Sequence, residues 1–283
     1  MMKKTKIGFI LITIFLLIVT PLAAAQNTTA ITYGEATYNN QNYKQNVDNY
    51  FKSNSGKSLD NINQKIITAS DVNKISQDIS GKTYSSNQIV SCAYVDLSEK
   101  NNLNIEVDNK ITTVTASMYK SALNSAGIKN GHVIITSPTS ATGESALAGV
   151  MQAYETASGS EMPSVVKEAA TKEIYTQTDI VNKTGADPDK IANLFVQVKQ
   201  EVINQNITDK TEIQNIIIDN SKNININITQ DQASEIADSI LKTQSVQGQA
   251  DDYQNKLSNI TSQVQDSGII DQIISIVKQI FGF

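Results

Sequence analysis

Gly143-Glu144-Ser145-Ala146-Leu147 begins like the G-x-S-x-G turn of serine hydrolases, where a strand-to-helix turn presents a nucleophilic hydroxyl. The second glycine is missing, and the chain's single histidine, His132, is the one imidazole base on offer. A Ser145/His132 hydrolase acting on cell-wall polymer or peptide is therefore the alternative reading. The preferred one makes Ser145 a helix cap. The loop around it is the better ligand-site candidate. Ser137, Thr139, Ser140, Thr142, Gly143 and Ser145 lie between an expected strand and an expected helix. Free N–H groups and the helix dipole there suit an anion or a polar ligand, although the preferred reading is an ordinary surface loop with local hydroxyl hydrogen bonds.

Other constellations are weaker. Asp187-Pro188-Asp189 lacks the remaining EF-hand ligands and reads as a cap followed by Pro at the first helical position. Glu168 with Glu173, or Asp251 with Asp252, are acids of solvated helix faces, with no cleft implied. Tyr33, Tyr38, Tyr43 and Tyr50 suggest a sugar-stacking surface, but Tyr43 and Tyr50 fall on a helical stripe and read better as core. Cys92, the one cysteine, sits in an apolar run and behaves as a small buried hydrophobe. No disulfide, no metal site and no cofactor are expected. With 23 lysines, no arginine and 28 acids, the chain lacks a bidentate phosphate fork and repels nucleic acid.

The elements that would position these residues alternate up to about residue 160. Tyr43, Val47, Tyr50 and Phe51 mark a helix ending at Gly56, and 62–68 is a short β-branched strand. Ser70 or Asp71 is expected to cap a helix that stops at Gly81. Residues 88–97 read as a strand covered on both faces. Leu103, Ile105 and Val107 alternate, Asp108-Asn109 reads as a turn, and 111–115 as the returning strand of a hairpin. A helix with Met118 and Leu123 ends at Gly127, 132–136 is a strand, and a helix with Leu147 and Tyr154 ends at Gly159. Beyond 160 the period is helical: helices opening at Pro163, Asp187, Thr208 and Thr229, then a polar linker at 244–252 and a thinner helical stripe of Tyr253, Leu257, Ile260 and Val264.

The fold class expected is α+β or α/β: an N-terminal mixed-sheet sandwich, an all-α region, and an amphipathic C-terminal helix. The boundaries expected are 1–25, 26–160, 161–244, 245–266 and 267–283. Lys3, Lys4 and Lys6, the apolar run 7–19 and Ala23-Ala24-Ala25 form a secretory leader, with cleavage before Gln26 and an uncleaved anchor as the alternative. Its loss takes the net charge from −5 to −8, since it holds three lysines and no acid. Asn27, Asn182, Asn206, Asn227 and Asn259 begin N-x-[ST] sequons, of interest where the host glycosylates exported proteins. The tail carries Ile269, Ile270, Ile273, Ile274, Val277, Ile280 and Phe281. It is expected to pack on the body or on a second copy, with membrane contact as the alternative.

Ser91-Cys92-Ala93-Tyr94-Val95, 118–128 from Met118-Tyr119-Lys120, Ser145-Ala146-Leu147-Ala148-Gly149-Val150-Met151 and Asn225-Ile226-Asn227-Ile228-Thr229 occur in an order that resembles the YpuA-like family of secreted proteins. The resemblance spans about residues 31–241; the Asn- and Tyr-rich N-terminal section departs from it. It implies a secreted or envelope protein of unknown function and supplies no catalytic residues. The combined expectation is an exported, non-enzymatic protein that binds an envelope protein or polymer and no nucleic acid.

Overall fold

The computed structural model describes residues 28–99, 101–260 and 262. The leader, Asn27 and the tail from 267 onward lie outside them. One compact unit spans 27–263. Its centre is a five-stranded mixed sheet of β1 (Thr29–Gly34), β2 (Asn63–Ile67), β3 (Cys92–Asp96), β4 (Leu103–Val107) and β5 (Gly131–Thr136). The order is β2-β1-β3-β5-β4, with β1/β2 and β4/β5 parallel and β1/β3 and β3/β5 antiparallel. Strand alternation divides the side chains between two faces. Ala30, Ala93, Val95, Val133 and Ile135 join the larger core, while Ile31, Tyr33, Cys92, Tyr94 and Ile134 join a smaller one.

A short α1 (Glu35–Tyr38) leads to α2 (Gln41–Ser55), whose Val47 and Phe51 cover the smaller core. Its first turn is capped by Asn40 and its last ends at Gly56 in the left-handed conformation. The helix α3 (Ala69–Ser80) follows β2. Its cap is Thr68, in a reciprocal capping box with Asp71, rather than Ser70 or Asp71 itself. The other face of the sheet carries α4 (Ala116–Ser125), α5 (Ala146–Ser158) and α6 (Ser164–Thr184), whose apolar residues enter the larger core. Beyond them, α7 (Pro188–Asn204), α8 (Lys210–Asn223) and α9 (Gln230–Ser245) pack around Phe195, Ile213, Ile217 and Ile236 in a separate helical core. Asp187 caps α7 and the Thr229/Gln232 capping box opens α9, both as expected; Asp209, not Thr208, caps α8.

Four expectations change. Thr29–Gly34 forms a central strand that the sequence did not reveal: all six residues are buried, so no polar alternation marks it. The strand read at 88–97 begins only at Cys92, because Ser86–Gln88 is a 3₁₀ turn. The hairpin at 103–115 does not form. Asp108 does accept from the Ile111 N–H at 2.9 Å, as in a turn. Yet the turn residues lack the positive φ of a primed hairpin turn, so the chain does not fold back on itself. β4 instead pairs in parallel with β5, and Ile111 bridges Ala141.

The fourth change is at 244–252. The polar stretch read as a linker is helical over most of its length, and residues 247–260 form a further helix, α10. Ala250, Tyr253 and Leu257 from it enter the larger core, as does Val246 just before it. That core runs from Ala30 through Ala169, Ala170 and Ile174 to Leu257. The change of period near residue 160 is therefore a change of element type within one unit. Strands occur only before it among the described residues. No described helix is long and apolar enough to cross a membrane.

Candidate functional site

The loop 137–145 lies where the sequence placed it, between β5 and α5, but its own chain fills it. Ala141 donates to the Lys110 carbonyl at 2.9 Å, and Thr112 and Val114 donate back to Ala141 and Thr142 at 2.8 and 3.0 Å. Gly143 has φ +102, and a Cβ there would meet Ile111 Cγ2 at 2.6 Å and the Tyr119 hydroxyl at 2.8 Å. Only glycine fits such a position. Tyr119 donates to the Gly143 carbonyl at 2.6 Å, its phenol held well above its usual pKa by burial, then by the Glu144 charge.

A carboxylate already occupies the neighbourhood. Glu144 is 4% exposed, accepts from Thr142 Oγ1, and pairs with Lys82 at 3.1 Å. Ser137 and Gly143 are buried, Ser145 is half-buried, and Thr139, Ser140 and Thr142 are exposed. Ser145 occupies the cap position of α5 without making a side-chain cap hydrogen bond.

His132 and Ser145 are not brought together. His132 sits at the start of β5, bonded through Nε2 to Glu106 Oε1 at 2.8 Å and edge-on to Tyr94. It shares the sheet face of Tyr94 and the smaller core, whereas Ser145 opens a helix packed on the larger one. His132 to Thr136 alone spans about 13 Å of extended chain, at about 3.3 Å per residue. The tyrosines do not form a platform either. Tyr33 is buried and donates to Asp48 at 2.6 Å, Tyr43 and Tyr50 are half-buried, and Tyr38 is exposed. Asn182, Asn206, Asn227 and Asn259 all lie exposed.

The arrangement with a chemical character of its own is a groove between α4, α7 and α9, of about 420 Å³. Helical spacing builds it. Ser121 and Ser125 lie one turn apart on α4. Val196, Lys199, Gln200 and Ile203 recur on one side of α7, beside that helix's core stripe. Ile240, Thr243, Gln244 and Gln247 repeat the same spacing from α9 into α10.

Beneath the groove lies Glu173 of α6, fully buried. The sequence placed Glu173 on a solvated face; tertiary packing reverses that. Lys199 Nζ reaches Glu173 Oε1 at 2.7 Å, Ser125 Oγ at 2.8 Å, Ser121 Oγ at 3.0 Å and the Ser121 carbonyl at 3.1 Å. Both serine hydroxyls donate to the carboxylate, Ser121 at 2.5 Å and Ser125 at 2.7 Å. Three ammonium protons thus meet four acceptors, and the hydroxyl protons are already spent on Glu173. A Ser–Lys nucleophile needs a serine proton directed at the lysine nitrogen, and here both serine protons go to Glu173 instead. The network instead ties three helices together and gives the groove a fixed polar floor.

Two features of the groove are unmatched. Thr243 is 5% exposed and its buried hydroxyl has no hydrogen-bond partner. Val196 and Ile203, 46% and 51% exposed, are two of the exposed large hydrophobic side chains of the described residues. A signal existed in the sequence: the second stripe on α7, with Lys199 between two aliphatic residues. The stronger stripe of Ile191, Leu194, Phe195, Val198 and Val202 obscured it. Among the described residues no group of three or more His, Cys, Asp or Glu side chains is placed to hold a metal ion.

Helices on both faces of a mixed sheet, over this order of segments, define a family rather than an activity. A family model described as "Protein of unknown function (DUF1002)" matches residues 33–260, and the chain belongs to that family. It is also similar to the uncharacterized protein YpuA of Bacillus subtilis (strain 168), 26% identical over 298 aligned positions that cover 99% of this chain and 97% of that protein. No solved structure matches the chain.

Proposed function

We propose that the protein is exported and works outside the cytoplasm by binding an envelope protein or polymer in the α4–α7–α9 groove. The observation that carries this reading is the unmatched lining of the groove: a buried hydroxyl without a partner beside two half-exposed aliphatic side chains. Leaving a buried hydroxyl unpaired costs about 1–3 kcal/mol, and aliphatic side chains held in water forgo the gain of burial. A bound ligand relieves both. Export is supported by the leader pattern of residues 1–25. The separation of His132 from Ser145, and the closed Ser–Glu–Lys network, argue for binding over hydrolysis.

The test is photocrosslinking in the host, with Gln200 in the groove, or Lys65 on the edge strand β2, replaced by a photoreactive residue. A discrete adduct is expected from Gln200 and not from Lys65, and the recovered chain is expected to begin at or near Gln26. Equal labelling from both positions, or a full-length chain confined to the cytoplasm, would overturn the proposal.

A further inference from the structure

We infer that the ligand of the α4–α7–α9 groove is a peptide segment bearing aliphatic side chains and a carboxylate, an assignment that rests on the binding reading above. Three properties of the lining select this class. The first is apolar. Val196 and Ile203 are seven residues apart on α7, which sets them roughly 10 Å apart at about 1.5 Å per residue. Three residues of extended peptide span about the same distance.

The second property is amide chemistry. Asn124, Gln200, Gln244 and Gln247 line the groove. Each glutamine already donates its N–H, Gln200 to Asn204 at 2.8 Å, Gln244 to the Ile207 carbonyl at 3.0 Å and Gln247 to Asp251 at 2.8 Å. Their carbonyl oxygens are thereby left as acceptors suited to peptide N–H groups. An acyl chain would dehydrate those amides without replacing their hydrogen bonds. A sugar would find no aromatic ring in the lining on which to stack. The Thr243 hydroxyl adds one more group able to donate or accept.

The third property is charge. Although the whole chain has 28 acids against 23 bases, the groove is lined by two lysines and no carboxylate. Lys199 is neutralised by Glu173 beneath it. Lys129 is exposed and has no ion-pair partner among the described residues, which leaves one positive charge for the ligand to answer. A carboxylate on the peptide does so.

A random-heptapeptide display library panned on the immobilised full chain tests the assignment. Enriched sequences are expected to combine Leu, Ile or Val with Asp or Glu. Lys129→Glu breaks no side-chain hydrogen bond or ion pair among the described residues and is expected to weaken binding of an enriched synthetic peptide tenfold or more. Replacing that peptide's acid by lysine is expected to restore binding to the variant. Thr243→Val, which keeps the shape and removes only the hydroxyl, is expected to weaken binding several-fold without lowering the melting temperature. Enriched peptides that lack an acid, or that ignore Lys129→Glu, overturn the ligand class. So does sodium laurate binding that Val196→Asp abolishes, which leaves the groove itself in use. If no probe binds and the Gln200 adduct is absent as well, the binding reading falls with it.

Discussion

Cys92 and Tyr94 show how burial sets the character of a residue here. They point to the same face of β3 and enter the smaller core with Phe51 and Ile134. Burial pushes the Cys92 thiol up to about 12 and, with the Asp96 charge adding to it, the Tyr94 phenol up to about 12 as well. Both groups are neutral in the folded chain at pH values where the unfolded chain ionises them, from about 9 for the thiol and 10 for the phenol. The folded pKa values are raised, so the stabilisation is complete below pH 9 and is lost as the pH climbs towards 12. The melting temperature is expected to hold steady from pH 7 to 8.5 and then fall across that window, with Cys92→Ala shifting the onset upward. A thiol reagent at pH 8 is expected to register nothing until denaturant is added. Immediate reaction of the native chain would show that Cys92 is open to solvent.

Among the elements, α10 is the most instructive. Its first part reads as linker because Gln247, Gln249, Asp251 and Asp252 dominate it, and a thin helical stripe is legible only from Tyr253 onward. Yet Val246, Ala250, Tyr253 and Leu257 fall at four-, three- and four-residue steps, the spacing of one helical face, and all four are buried in the larger core. Close approach fixes it further. Gly127 has φ +77, and a Cβ there would collide with the Ala250 carbonyl. Tyr253→Ala is expected to cost about 3–5 kcal/mol, the usual range for emptying a buried aromatic site. Exposed Asn255→Ala is expected to change stability by less than about 0.5 kcal/mol. Urea denaturation separates the two through the midpoint, with the slope unchanged. Equal midpoints for both variants would return α10 to the status of an appended helix.

At the scale of the whole molecule, the sheet shares one core with α6 and α10 from beyond residue 160, beside the separate core of α7, α8 and α9. Ala169, Ala170 and Ile174 of α6 pack into the shared core, and Ser121, Ser125, Glu173 and Lys199 tie α4, α6 and α7 together across the same line. Cutting there leaves Lys199 with Glu173 but strips both serine hydroxyls from the buried carboxylate and opens the apolar face of α6, a change of several kcal/mol at least. Calorimetry of the full chain is expected to show one transition for this unit, and residues 26–160 expressed alone are expected not to fold cooperatively. A stable, cooperatively melting 26–160 fragment would establish two domains.

Most elements were legible because local physics decides them. The helix stops at Gly56, Gly81 and Gly159 each adopt the left-handed conformation that favours glycine, and the caps at Asp187 and Thr229 satisfy orphan N–H groups within three residues. What the sequence by itself determined was thus most of the helices, the switch to helix beyond residue 160 and the family. Tertiary structure decided the rest, because it depends on partners distant in the chain. β1 is invisible to periodicity since both its faces are covered, and β4 chose β5 over a local return because its turn has the wrong hand. The groove belongs to the same class: Ser121, Glu173, Lys199 and Thr243 are unremarkable where they stand in the sequence. Packing α4, α6, α7 and α9 together buries a charge, pairs it, and leaves the Thr243 hydroxyl at the groove without a partner.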